Sequence, residues 1–467
     1  MSSSSSWILV LLAALAAAPG YAQTKRMQDV AKLLGLDASK DSAAAKEAEA
    51  AMARLVKRGM DSHPALKIRE AELQASRARV DAAQGHYQPT LSVNASARQE
   101  QRQDLNNEEK SQADGHSMSL VLRENLWRGG QDAGQVDLAR QDATLAEIRK
   151  FHESEGLTFR VTEAALDYNF RYFRQLIDAA SLADAEELRA LAERKFQAGQ
   201  VGKIDIHLAG MRESAARSSA ARASIERQQA YHKLLNVLGP QESPEGLKQD
   251  IEALTQAALP LPEALPELKP VPGPTLMEKS SIAQQKRAEI TLDQNYRRRF
   301  MPQIDLVGTL GRDQNRSWLL DDADQKALSK ANGTSLQLEF SWNLWDRSQD
   351  HLIRAAAAEK NAAHREVEVA RHEVNMETER LRNLIAELHQ SLGYSRAAYQ
   401  QAGQLYDAQR RLYETGVIGL QPLMDAEREK REAIGNWQQS MHELQLSLLH
   451  WQALERGYLA SGSIREG

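Results

Sequence analysis

The chain writes one phrase twice. "ENLWRGGQD" runs from Glu124 to Asp132, and "WNLWDRSQD" runs from Trp342 to Asp350. Trp127 and Trp345 stand 218 positions apart. Two further pairs keep the same order. "HYQPTLSVNASA" (86–97) matches "RFMPQIDLVGTL" (299–310), with Pro89 and Pro302 213 positions apart. "KFQAGQVGKIDIHLA" (195–209) matches "LYETGVIGLQPLMDA" (412–426), where Gly199/Gly416 and Gly202/Gly419 are both 217 apart. Three anchors in one order mean an internal repeat of about 215 residues. Any fold for this chain must therefore be built twice.

Between the copies, "LPLPEALPELKPVPGP" holds six of the 13 prolines: Pro260, Pro262, Pro266, Pro270, Pro272 and Pro274. Proline fixes φ and removes a donor, so 259–275 reads as an extended connector. It divides a first repeat, 23–258, from a second, 276–456, and a tail follows at 457–467. Each repeat changes period along its length. Alternation of apolar and polar residues predicts strands at about 90–98 and 116–126, and again at about 302–312 and 334–344. "SLQLEFSW" is the cleanest, with Leu336, Leu338, Phe340 and Trp342 on one face. The polar stretches between paired strands read as loops. Long segments free of proline follow, at about 131–198 and 348–415, rich in Ala, Glu, Arg, Leu and Gln. A helix of that length spans on the order of 100 Å at about 1.5 Å per residue. Return helices are expected at about 204–238 and 420–456, and shorter helices at about 64–86 and 276–300 lead into the hairpins.

Composition removes several classes. The chain has no cysteine, which excludes disulfides, thiolate metal sites, a cysteine nucleophile and a Cys-linked lipid. A net charge of −5 offers no basic field for nucleic acid. "WILVLLAALAAAP" with Gly20 and Ala22 at the −3 and −1 positions predicts an export signal over 1–22, although "MSSSSS" carries no Lys or Arg. Downstream, no run approaches the ~20 apolar residues of a membrane helix. The twelve His are scattered, "HEVNME" lacks the second His of a zinc-protease helix, and the Gly pairs sit between helices. The chain is expected not to be an enzyme, with no catalytic residue, metal or cofactor.

Four two-faced strands cannot close a membrane barrel, which needs at least eight and no open edge. Two chains give a barrel filled by its own side chains; three give one that opens a lumen. Tyr87 and Phe300 precede the first strand of each hairpin, and Trp127 and Trp345 follow the last. All four are expected at one end, as an interfacial aromatic girdle, with Pro89 and Pro302 at the helix-to-strand corners. The competing reading makes the tryptophans core anchors of a sheet in a soluble periplasmic coiled-coil scaffold.

The order helix, hairpin, very long helix, Gly-marked turn and helix, written twice, resembles the TolC-like outer-membrane factors. "YQPTLSV", "LRENLWRGGQ", "FSWNLWDRSQ" and "YETGVIGLQPLMDAE" carry the resemblance, which covers about Ala51 to Leu454. It implies a mixed α/β membrane protein: a homotrimer with a 12-stranded barrel in the outer membrane, continued by a helical tunnel in the periplasm. The implied partners are a periplasmic adaptor protein, an inner-membrane ABC transporter, outer-membrane lipid and an exported polypeptide. The proportions are similar to adhesin-exporting, LapE-type members of type I secretion. The alternative is a drug or metal efflux pump, with an RND-type transporter and a small-molecule substrate. The resemblance also implies an acidic periplasmic constriction that binds cations. It places Asp425 at one acidic position and Pro422 at the second, so a doubled ring is not expected; Asp205 is the copy-one candidate. Gly199, Gly202, Gly416 and Gly419 mark the helix reversals, where glycine permits φ > 0 and where an adaptor is expected to dock.

Overall fold

The computed structural model describes residues 43–103, 110–240, 244–256, 259, 268, 273–319 and 322–460. The expected signal segment 1–22, most of the Pro-rich connector and residues 461–467 lie outside these. The chain order is α1 (Ala43–Ser62), α2 (Pro64–Gln84), a short 3-10 turn (Gly85–Tyr87), β1 (Thr90–Gln103), β2 (Lys110–Trp127), α3 (Gln131–Gln197), α4 (Lys203–Leu238) and α5 (Pro244–Ala253). The second half follows with α6 (Leu276–Phe300), β3 (Gln303–Leu319), β4 (Asp322–Ser341), α7 (Arg347–Glu414) and α8 (Leu420–Glu455). The duplication reaches element length: α3 and α7 have 67 and 68 residues, α4 and α8 have 36 each. Helices α1 and α5 have no counterpart among the described residues of the second half.

The chain divides into two compact units. The sheet unit takes Arg69–Lys150 and Glu278–Arg371; the helical unit takes the described residues up to Ile68, Phe151–Met277 and those from His372 onward. In the sheet unit, β1-β2-β3-β4 form one antiparallel sheet in chain order. β1 and β4 each pair on one side only among the described residues. A bulge between Asn125 and Trp127 shifts the β2–β3 register at one end.

The helical unit buries its apolar stripes in successive layers. Leu55, Leu157, Val161, Leu234, Leu238 and Leu254 bring α1, α3, α4 and the end of α5 together. Phe173 and Ile177 of α3 pack on Ile434, Trp437 and Met441 of α8. Leu381 and Ile385 of α7 pack on Leu444, Trp451 and Leu454 of α8. Ala in these seams lets helix backbones approach, and its small side chain loses little entropy in a helix.

One expectation needs correction. The strands run beyond the alternating segments, to 14, 18, 17 and 20 residues, so much of the polar stretches read as loops is ladder. The reason is chemical: where both faces are polar the period of two vanishes from the sequence, but the backbone still pairs. The segment at the start of the tail is packed. Tyr458 and Leu459 are buried, and Leu276 donates its N–H to the Gly457 carbonyl at 2.8 Å. The connector is also tied down where described, since Gln445 Nε2 donates to the buried Leu259 carbonyl at 2.5 Å.

Candidate functional site: a two-faced sheet and two helix reversals

Register sorts the sheet residues onto two faces. One face carries Leu91 and Val93 of β1, Leu120 and Leu122 of β2, Leu306 and Leu310 of β3, and Leu336, Leu338 and Phe340 of β4. Much of it is bare: Leu336 is 75% exposed and Leu91 64%. The other face carries Ser92–Val121–Thr309–Ser335 in one row and Asn94–Ser119–Gly311–Gly333 in the next. An apolar face of this extent, left open on an isolated sheet, requires an apolar cover.

At the end of the sheet where the flanking helices join, the polar face becomes charged. Arg123 Nη1 donates to Asp305 at 3.4 Å, and its Nη2 lies 3.4 Å from Glu339. Arg128 adds a second cation 3.7 Å from Asp305. The four aromatic residues singled out above are all at this end. Tyr87 and Phe300 precede β1 and β3, Trp127 closes β2, and Trp345 follows β4, and every one is exposed, Trp345 at 85%. Trp342, 50% exposed, adds a fifth ring. Pro89 and Pro302 stand directly before Thr90 and Gln303, where they end helical geometry and begin the strand.

The helical unit holds both reversals. Gly199 and Gly416 have φ of +69° and +79°, as a left-handed helix C-terminus demands. Gly202 and Gly419 behave differently. They are N-caps with extended backbone at φ −87° and −73°, so the expectation of φ > 0 fails there. Their role is to start α4 and α8. Asp205 lies in the first turn of α4, where a carboxylate complements the helix dipole. Asp425 is partly exposed and already engaged on α8, with Arg428 at 3.2 Å and Gln421 at 3.4 Å.

Two arrangements here escaped sequence reasoning. The Lys195 ammonium, buried, donates to the carbonyls of Tyr413 and Glu414, which close α7, and lies 4.5 Å from the Tyr413 ring centre. Tyr413 is fully buried, and burial, with Asp205 adding to it, pushes its phenol pKa up. Arg212 of α4 pairs with both carboxylate oxygens of Glu427 of α8 through its Nε and Nη2, and Nη2 also donates to Ser181 of α3 at 2.8 Å.

Comparison with known proteins agrees with this architecture. The family model "Outer membrane efflux protein" matches residues 55–240. The outer membrane protein OprJ of Pseudomonas aeruginosa is 23% identical over 368 residues, 75% of each chain. Among solved structures, the CmeC outer membrane channel of Campylobacter jejuni superposes with a TM-score of 0.74 at 14% identity, over 89% of this chain and 87% of that one. A membrane protein from Pseudomonas aeruginosa gives 0.73 at 19% identity, over 89% and 92%. Such a fold defines the outer-membrane channels that combine a β-sheet contribution to a barrel with long paired helices. Over residues 55–240 the chain is similar to the outer membrane efflux proteins, and it shares its fold with solved outer-membrane channels. OprJ is an outer membrane protein and CmeC an outer membrane channel.

Proposed function

We propose that three copies of the chain pool their sheets into a 12-stranded barrel, and that the helices continue it as a periplasmic tunnel through which substrate leaves the cell. The observation that carries this reading is the two-faced sheet with bare edges at β1 and β4. Its apolar face fits lipid, its polar face fits a water-filled lumen, and its edges need neighbouring strands. Four strands are too few to close alone, and twelve leave an open bore. The exposed rings at Tyr87, Trp127, Phe300 and Trp345 then form the periplasm-side girdle. The reversals at Gly199, Gly202, Gly416 and Gly419 are the surface offered to an adaptor and an inner-membrane transporter.

Asp425 and Asp205 are the acidic groups of the proposed constriction. Arg428 beside Asp425 weakens a ring of three carboxylates, so cation binding there depends on that arginine moving aside.

Two cargoes fit. Type I secretion of a large adhesin, with an ABC transporter, rests on the resemblance of the chain's proportions to adhesin-exporting members. Efflux of small molecules, with an RND-type pump, is supported by the description of the matched family as efflux proteins. Deleting the gene separates them: loss of a secreted polypeptide supports the first, and sensitisation to small toxins alone supports the second.

The test of the channel itself is planar-bilayer conductance of the detergent-purified protein, with native mass for the stoichiometry. Discrete, cation-selective conductance from a three-chain species is expected, and Asp425→Asn should weaken block by divalent cations. A non-conducting single chain would sink the reading.

A further inference from the structure

The apolar face of the sheet does not end in neutral loops. It ends in cations. Moving away from the flanking helices, the last leucine row contains Val93, Leu120 and Leu310. The next row on the same face is Ala95–Met118–Arg312–Asn332, and the one after it is Ala97–His116–Gln314–Lys330. Arg312, Lys330 and His116 are all exposed. No acidic partner stands within ion-pair distance of Arg312 or Lys330 among the described residues. Within these two rows the face carries no acid; Asp114 is one row further out. The opposite face has the reverse character at the same height. Its rows are Asn94–Ser119–Gly311–Gly333 and Ser96–Ser117–Asp313–Ala331, where the one charge is acidic. The opposite face carries its next cation, Arg98, one row further out, and there it is paired with Glu100 at 2.6 Å, whereas Arg312 and Lys330 have no such partner among the described residues.

Position along the strand gives the distribution a meaning. Ile304 begins the apolar face near the girdle, and eight residues later comes Arg312. That is about 26 Å along a strand at ~3.3 Å per residue, and on the order of 20 Å across the bilayer once the strands tilt. An outer-membrane barrel has an apolar band of ~25 Å. The basic rows therefore stand at the far rim of that band. The helical part is periplasmic, so the far rim is the outer leaflet.

We propose that Arg312 and Lys330, assisted by His116, form a docking surface for the phosphate groups of outer-leaflet glycolipid. The inference rests on the lipid-facing assignment of the leucine face made above. Arg312 and Lys330 sit on neighbouring strands one same-face row apart, a diagonal of about 7–8 Å between backbones. Two long cationic side chains at that spacing reach one phosphate group together, and arginine binds it through two parallel N–H bonds. Cations beside an anionic membrane surface add attraction that falls off within a Debye length. Three copies around a barrel would offer three such surfaces. The leucines next to them take the acyl chains of the same lipid.

The experiment is native mass spectrometry of the full-length trimer titrated with bisphosphorylated lipid A, dephosphorylated lipid A and phosphatidylglycerol. Wild type should retain the bisphosphorylated lipid in preference to the other two. The double variant R312Q/K330Q should bind it more weakly, on the order of tenfold or more. R365Q, on an exposed part of α7, should bind as wild type does. Equal retention by R312Q/K330Q and wild type would overturn the proposal. So would equal charge-dependent binding of phosphatidylglycerol, which would leave no preference for the glycolipid. Trimer mass and conductance, measured on the same preparations, keep this outcome separate from failure of the channel reading. A conducting trimer that ignores the glycolipid refutes only the docking surface.

Discussion

His442 illustrates what burial does to one ionisable residue in the helical unit. It is 8% exposed, its ring stacks on Phe170 with centres 4.4 Å apart, and its Nδ1 has no hydrogen-bond partner. Burial pulls its pKa from 6.5 down to about 4. The unfolded chain therefore takes up a proton at a pH where the folded chain does not. The stabilisation is present above pH 6.5 and is lost as the pH falls toward 4, a change of about 3 kcal/mol. His450, stacked on Phe159, shifts in the same direction through burial. His442→Leu should flatten the acid limb of a stability-against-pH curve measured by chemical denaturation. An unchanged limb would assign acid sensitivity elsewhere. Neither His was singled out from the sequence, because a lone His on a helix gives no sign of its neighbour 272 residues away. Lys195 and Glu427 were hidden for the same reason. Their partners Tyr413 and Arg212 come from the other copy.

At the scale of the element, the four glycines of the reversals divide by backbone angle. Gly199 and Gly416 have positive φ, and nothing lies within 4 Å of a Cβ placed on either. Space is therefore not the issue; conformation is. Gly199→Ala and Gly416→Ala should each destabilise by about 1–2 kcal/mol, the price of a left-handed residue with a side chain. Gly202→Ser and Gly419→Ser should be neutral or mildly stabilising, because serine is a better N-cap than glycine. Denaturation midpoints of the four variants check this, and equal losses at all four would contradict it. The Gly-x-x-Gly spacing announced a reversal in the sequence. Which glycine needs φ > 0 depended on where each helix stops, and helix ends are decided by packing against Tyr413, Leu420 and Leu423.

For the whole molecule, adjacent residues of β4 separate the two faces. Leu336 lies on the apolar face and Ser335 on the polar one. Leu336→Arg should cost about 2–4 kcal/mol of membrane stability and lower the yield of heat-modifiable trimer, whereas Ser335→Arg should assemble normally. Equal yields would mean that the leucine face does not meet lipid. The broad plan was legible before any coordinates: the duplication, the four alternating segments, the two long helices and the proline corners. Each is a local signal, since a side chain's periodicity reports only on neighbours two, three or four positions away. The extra strand length was not legible, because a strand that is polar on both faces shows no alternation.

Local pattern alone established that the unit is written twice, that a long helix follows Asn-Leu-Trp in each copy, and that the chain carries no cysteine chemistry. The tertiary structure decided the rest. It set Lys195 against the carbonyl end of α7, joined Arg212 to Glu427 across the two copies, and brought Arg312 and Lys330 to one face of neighbouring strands. The physical reason is range. Element type follows from local pattern, but a pairing across some two hundred residues follows from strand register and helix packing, where one residue of slip turns a side chain to the opposite face.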